Sequence, residues 1–187
     1  MNKEYKMNGS EKFMGVLLIL VMALIPLICK VAVVPVSVDE YNVVRSSASV
    51  TDVFSYYKSV FIIIFGVVIA LAMAFQILGQ DGFTVNFKTI PVILVGVMGL
   101  LILLSSLFSS AKTVAFKGVS ERYEGAFVWL CYIAFFIVAM AFSSNIKRFS
   151  WILTGIMISG ALVGLIGFGQ FFGANIFNSQ AFAKFIM

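Results

Sequence analysis

Five stretches of this chain run without a charged residue, and their lengths set the first expectation. FMGVLLILVMALIPLIC lies between Lys12 and Lys30, SVFIIIFGVVIALAMAFQILGQ between Lys58 and Asp81, and TIPVILVGVMGLLILLSSLFSSA between Lys88 and Lys112. GAFVWLCYIAFFIVAMAFSSNI follows from Gly125 to Ile146, and a last window opens at Phe149 and closes at Lys184. A helix rises 1.5 Å per residue, so crossing ~30 Å of hydrocarbon takes about 20 apolar residues. Lipid offers no partner for unpaired backbone groups, so such windows are read as helices. The pattern predicts an all-α membrane protein, a polytopic bundle of about five transmembrane helices in one region, residues 1–187. The spans are expected near 13–34, 59–80, 89–111, 125–146 and 150–172.

Composition agrees with that pattern. Of 187 residues 61% are hydrophobic and only 11% charged, with 20 Phe, against roughly 45–50% apolar usage in soluble domains. The first window follows a basic start, MNKEYKMNGSEK, yet VMALIPLICKVAVVPVSV contains no small-x-small cleavage site, so it reads as a retained anchor. Pro26 is expected to kink it, and Lys30 to reach the headgroups. Gln76, Asn145 and Gln170 fall near span ends and are expected at the interface.

Charge placement sets an expected orientation. The Lys3, Lys6 and Lys12 cluster and the Lys147/Arg148 pair favour a cytoplasmic N-terminus. The loops near 35–57 and 111–125 then face outward in the cell membrane, mixing their bases with Asp39, Glu40, Asp52, Glu121 and Glu124. The first of these, PVSVDEYNVVRSSASVTDVFSYYK, is expected to hold a short extended segment or a surface helix, with Tyr56 and Tyr57 anchoring the next span.

Several chemistries drop out. The chain has no His, so it builds no His general base, triad or His-ligated metal. Cys29 and Cys131 are too far apart in sequence for a close-spaced redox or metal pair and read as small packing residues. There is no phosphate-gripping GxxxxGK[ST] loop and no dinucleotide fingerprint, and no cofactor is expected. A net charge of +5 is spread over loops, which argues against a nucleic-acid partner. The lipid bilayer is the partner the composition demands. No Asp, Glu, Lys or Arg stands at mid-span, which lowers the case for a self-sufficient transporter. Gly160 and Gly164, followed by Gly167, Gly169 and Gly173, are expected to form a packing face within the bundle.

One loop concentrates charge: AKTVAFKGVSERYEG, residues 111–125. The Arg122 guanidinium offers a planar fork suited to phosphate, with Lys117 as a second cation. Glu124 and Glu121 flank Arg122 and can hold it by ion pairing, and Tyr123 can stack on a sugar or sit in the interface. Gly118 and Gly125 permit tight turns. A solvated loop whose charges merely keep it wet is the simpler reading of the same residues.

The pattern F-x-G-x-x-x-R-Y-E-G, here Phe116, Gly118, Arg122, Tyr123, Glu124 and Gly125 leading into AFVWLCYIAFF, resembles the O-antigen ligase and O-antigen polymerase-like family of polytopic membrane glycosyltransferases. DVFSYYKSVFIII, with Phe54 and Lys58, looks like the start of that family's second helix, and GFGQFFGANIF is similar in position to its fifth. The resemblance implies a glycan transferred from an undecaprenyl diphosphate carrier, with Arg122 and secondarily Lys117 toward the carrier diphosphate, Glu124 orienting Arg122 and Tyr123 lining the glycan or lipid entrance. Family members have roughly ten to fourteen spans and place catalysis in a large outer loop of their second half. By that resemblance this chain matches only an N-terminal portion, either a truncated reading frame or a separately encoded half whose remaining spans lie on a second polypeptide, and is expected to be inactive alone. A noncatalytic polytopic scaffold or a transporter subunit is the alternative.

Overall fold

The computed structural model describes residues 9–28, 30–43, 48–52, 54–79, 90–143 and 146–173. Helix α1 (Gly9–Leu24) is followed by a 3-10 turn at Ile25–Leu27 that contains Pro26. Strand β1 (Ala32–Pro35), helix α2 (Val38–Val43) and strand β2 (Ser49–Asp52) make up the first long loop. Then come α3 (Ser55–Gly79), α4 (Ile90–Phe108), the short α5 (Lys112–Lys117), α6 (Ala126–Ser143) and α7 (Ile146–Phe171).

Among the described residues four helices, α3, α4, α6 and α7, are long and apolar enough to cross a bilayer, so the protein is a helical, polytopic membrane chain. The first expected span differs. Proline has no N–H and clashes with the preceding turn, and α1 stops at Leu24 rather than near residue 34, with residues 32–35 extended. Its 16 residues reach only about 24 Å. The apolar window continues through VAVVP, but those β-branched residues pair as strand: β1 and β2 run antiparallel, Ala32 opposite Asp52 and Pro35 opposite Ser49.

The core is an α1 stripe locked between the later helices. Met14, Leu17, Leu18 and Val21 recur at three- and four-residue spacing and pack with Ile69 and Met73 of α3, Val138 and Phe142 of α6, and Ile152 of α7. Small residues permit the close crossings. A Cβ added at Gly15 would stand 2.7 Å from the Trp151 ring, and one at Gly155 would stand 3.2 Å from Ile19 Cα. At Gly66 the added atom would collide with Cys131, a buried packing residue. In contrast, nothing lies within 4 Å of an added Cβ at Gly160, Gly164 or Gly167. These three are not the internal packing face that their spacing suggested; that role falls to Gly15, Gly66 and Gly155. Gln76 closes the apolar stretch of α3, as its place near a span end suggested, and it is buried, with no hydrogen-bond partner for its Oε1 among the described residues. Cys29 and Asn145 lie outside the described residues.

The two long loops meet at one end of the bundle. The Asp39 carboxylate accepts a hydrogen bond from the Thr113 amide at 2.9 Å, and Glu40 accepts two from Ser120. The first loop holds both an extended pair and a short helix, and α2 brings its two acids against the second loop.

Candidate functional site: the Arg122 turn

Three local devices build the site. The first is the start of α3. Asp52 Oδ1 accepts from the Ser55 and Tyr56 amides at 2.7 and 2.9 Å, satisfying donors that a helix start leaves open. Strand pairing puts Asp52 there, and the helix that begins behind it carries Ser55, Lys58 and Ser59 at i, i+3 and i+4 on one face.

The second device is a pinched turn. Gly118 closes α5 with φ of 89° and donates its N–H to the Val114 carbonyl at 2.8 Å. A side chain is excluded there, because an added Cβ would stand 2.5 Å from the Glu124 nitrogen. At Gly125 it would run into the Phe116 oxygen and the Gly118 nitrogen. The backbones of 118 and 125 therefore touch, and the residues between them are forced out as a turn. Arg122 and Tyr123 both donate their N–H groups to the Val119 carbonyl, at 3.1 and 2.9 Å. Glu121 and Tyr123 hold positive φ, 78° and 48°, a conformation that costs a non-glycine residue roughly 1–2 kcal/mol.

The third device holds that turn in place. Glu40 Oε1 accepts from the Ser120 N–H and Oε2 from the Ser120 hydroxyl, both at 2.9 Å, with both residues buried. Tyr123 packs edge-on against Tyr56, ring centroids 5.3 Å apart, so the turn is also seated on the start of α3. Lys30 stands 5.1 Å over the neighbouring Tyr57 ring.

The predicted residues now separate. Tyr123 is only 9% exposed, leaving little ring for a sugar to stack on. Its hydroxyl is buried without a hydrogen bond of ordinary geometry, and burial pushes the phenol above its usual 10.0; Ser120 pulls the other way, while Asp52 and Glu40 add to the rise. Arg122 and Glu124 are both exposed, and among the described residues the guanidinium has no carboxylate partner, so the expected ion pair with Glu124 is absent. Lys117 ends α5, exposed, and lines none of the three cavities around the turn.

Those cavities adjoin. One of about 280 Å³, between α3 and α6, is lined by Ser55, Lys58, Ser59, Arg122, Glu124 and Tyr132 among others. A second of about 360 Å³ lies against Gly118, Val119, Arg122, Glu124 and Gly125. The third, about 480 Å³, is apolar and runs along α4 and α6 up to Glu124. Arg122 borders two of them and Glu124 all three. Lys58 is thus the second cation at the site, and its ammonium stands 5.5 Å from the Phe54 ring.

Sequence reasoning placed Lys58 only as a helix-start feature, and Asp39 and Glu40 only as loop charges. Glu40 and Ser120 are 80 residues apart, so no spacing rule joins them. Among the described residues, no group of three potential metal-binding side chains occurs. What the arrangement offers is a guanidinium without a carboxylate partner among the described residues and an ammonium, both lining cavities shared with the Glu124 carboxylate, at one end of an apolar helical bundle. No family model, curated protein or solved structure matches the chain.

Proposed function

We propose that this chain is a membrane component of surface-polysaccharide assembly, and that its Arg122 turn meets the diphosphate of a glycan carried on undecaprenyl diphosphate. The observation that carries the proposal is the presentation of Arg122. The turn is pinned at both glycines and held by Glu40, while the guanidinium it displays has no carboxylate partner among the described residues. A preorganised cation of this kind stabilises the charge that develops on a departing diphosphate without having to reorganise. Lys58, across the α3–α6 cavity, adds a second positive charge, and the RYEG resemblance supplies the reaction class.

In this reading α1 and the 3-10 turn that follows complete a fifth crossing. The N-terminus is cytoplasmic, and the turn lies on the outer face of the cell membrane. These 187 residues hold no His, and none of them is assigned as the base that activates the acceptor hydroxyl. The isolated chain therefore does not turn over the carrier-linked glycan.

Arg122→Ala in cells assembling the glycan tests the reading. Transfer to the acceptor is expected to collapse while the protein still reaches the membrane. Transfer at the normal rate would assign the loop instead to topology and partner contacts, as in a noncatalytic scaffold or transporter subunit.

A further inference from the structure

Two features of the closed turn work against it. Glu121 and Tyr123 hold φ of 78° and 48° although neither is glycine, a conformation in which the Cβ crowds the backbone. The Tyr123 hydroxyl is buried and, among the described residues, has no hydrogen bond of ordinary geometry, so closing the turn strips it of water without a replacement. Opening relieves both at once. What opposes opening comes from other segments. Glu40 of α2 accepts the Ser120 N–H and hydroxyl at 2.9 Å each, and the Tyr56 ring of α3 covers Tyr123 edge-on, 5.3 Å between centroids. Asp39, beside Glu40, accepts the Thr113 amide at 2.9 Å and so ties α5 to the same short helix. The turn also has pivots, Gly118 at the end of α5 and Gly125 ahead of α6.

We propose that residues 118–125 form a two-position latch, sprung toward release and held shut by α2, so that the first outer loop controls whether Arg122 stands at its cavities. Released, the turn swings about Gly118 and Gly125, and Arg122 leaves the 280 and 360 Å³ cavities that it lines when the turn is shut. Control passes from one loop to the other through a contact between residues 80 apart in sequence. What Arg122 receives rests on the carrier reading above; the latch does not depend on it.

Position 121 isolates the spring. Glu121→Ala and Glu121→Gly lose the same side-chain contacts, but only the glycine variant loses the crowded Cβ. In an unstrained turn glycine would open more readily than alanine, because it gains more freedom on release. In a sprung turn it opens less. Amide exchange on the full chain in phosphatidylcholine nanodiscs, read at Arg122 and Tyr123, follows the opening, since both N–H groups bond the Val119 carbonyl when the turn is shut. Exchange in Glu121→Gly is expected to be roughly tenfold slower than in Glu121→Ala. Tyr123→Phe, which removes the buried hydroxyl, should exchange several-fold more slowly at both positions than the unaltered chain. Glu40→Ala should exchange faster at both, and adding Glu121→Gly should recover part of that protection where adding Glu121→Ala does not. A glycine variant that exchanges as fast as the alanine variant, or faster, would overturn the spring. Unchanged protection of both amides in Glu40→Ala would overturn the latch. Either result leaves the carrier reading standing, because no carrier enters the measurement.

Discussion

Replacing Glu40 by Ala probes the joint that presents Arg122. Glu40 accepts two hydrogen bonds from Ser120, each 2.9 Å, and the two residues are only 3% exposed. Hydrogen bonds to a charged acceptor contribute about 1.5–3 kcal/mol each, and a buried donor left unpaired costs a similar amount. Taking the low end for both, because a truncated side chain admits water, the turn loses about 3 kcal/mol of its docking energy. Since each 1.36 kcal/mol is a factor of ten, the opening equilibrium rises roughly a hundredfold. Amide exchange read by mass spectrometry on the full chain in nanodiscs follows that equilibrium directly. The Ser120 amide should exchange about a hundredfold faster while α4 keeps its protection. Glu40→Gln should show a much smaller change, roughly tenfold, because its amide keeps one acceptor for the Ser120 N–H. An unaltered Ser120 amide in Glu40→Ala, or a bundle that loosens as a whole, would refute the idea that this carboxylate specifically holds the turn.

Two further outcomes follow from the packing. Gly66→Ala forces a methyl into Cys131 and should lower the thermal midpoint by several degrees, whereas Gly164→Ala meets open space and, with alanine the better helix former by about 1 kcal/mol, should leave the midpoint level or raise it. Burial holds the Tyr123 phenol protonated, so the folded state keeps that proton at pH values where the unfolded chain loses it; stability should fall as pH rises above about 10. Tyr123→Phe should flatten that alkaline decline with little loss of stability at neutral pH, since the hydroxyl it removes has no hydrogen bond of ordinary geometry among the described residues; a decline equally steep in the variant would contradict the assignment.

How much of this was legible follows from where each signal lies. Charge-free windows located α3, α4, α6 and α7, because in hydrocarbon length and apolarity suffice to define a crossing helix. The first window misled because hydropathy does not distinguish an apolar helix from the apolar, β-branched VAVVP that pairs with β2; Pro26, visible in the sequence, marks the change. Glycine spacing on α7 suggested an internal packing face, yet spacing says nothing about which face meets a neighbour. The crossings formed at Gly15, Gly66 and Gly155, on three different helices. In the charged loop, Gly118 and Gly125 announced a tight turn and the structure pinches it there. Tyr123 had two local readings, sugar platform or interfacial ring, and a third prevailed once Tyr56 came from another segment to cover it. The Glu40–Ser120 joint and the approach of Lys58 to Arg122 depend on the tertiary fold, so no local pattern could disclose them.

In the proposed function Arg122 and Lys58, not Lys117, receive a lipid-linked diphosphate. Equilibrium binding of undecaprenyl diphosphate to the full chain in phosphatidylcholine nanodiscs, by native mass spectrometry, tests it most directly. Saturable one-to-one binding is expected, weakened at least tenfold by Arg122→Ala, several-fold by Lys58→Ala and little changed by Lys117→Ala. Equal affinities in all four proteins, or a loss confined to Lys117→Ala, would contradict it.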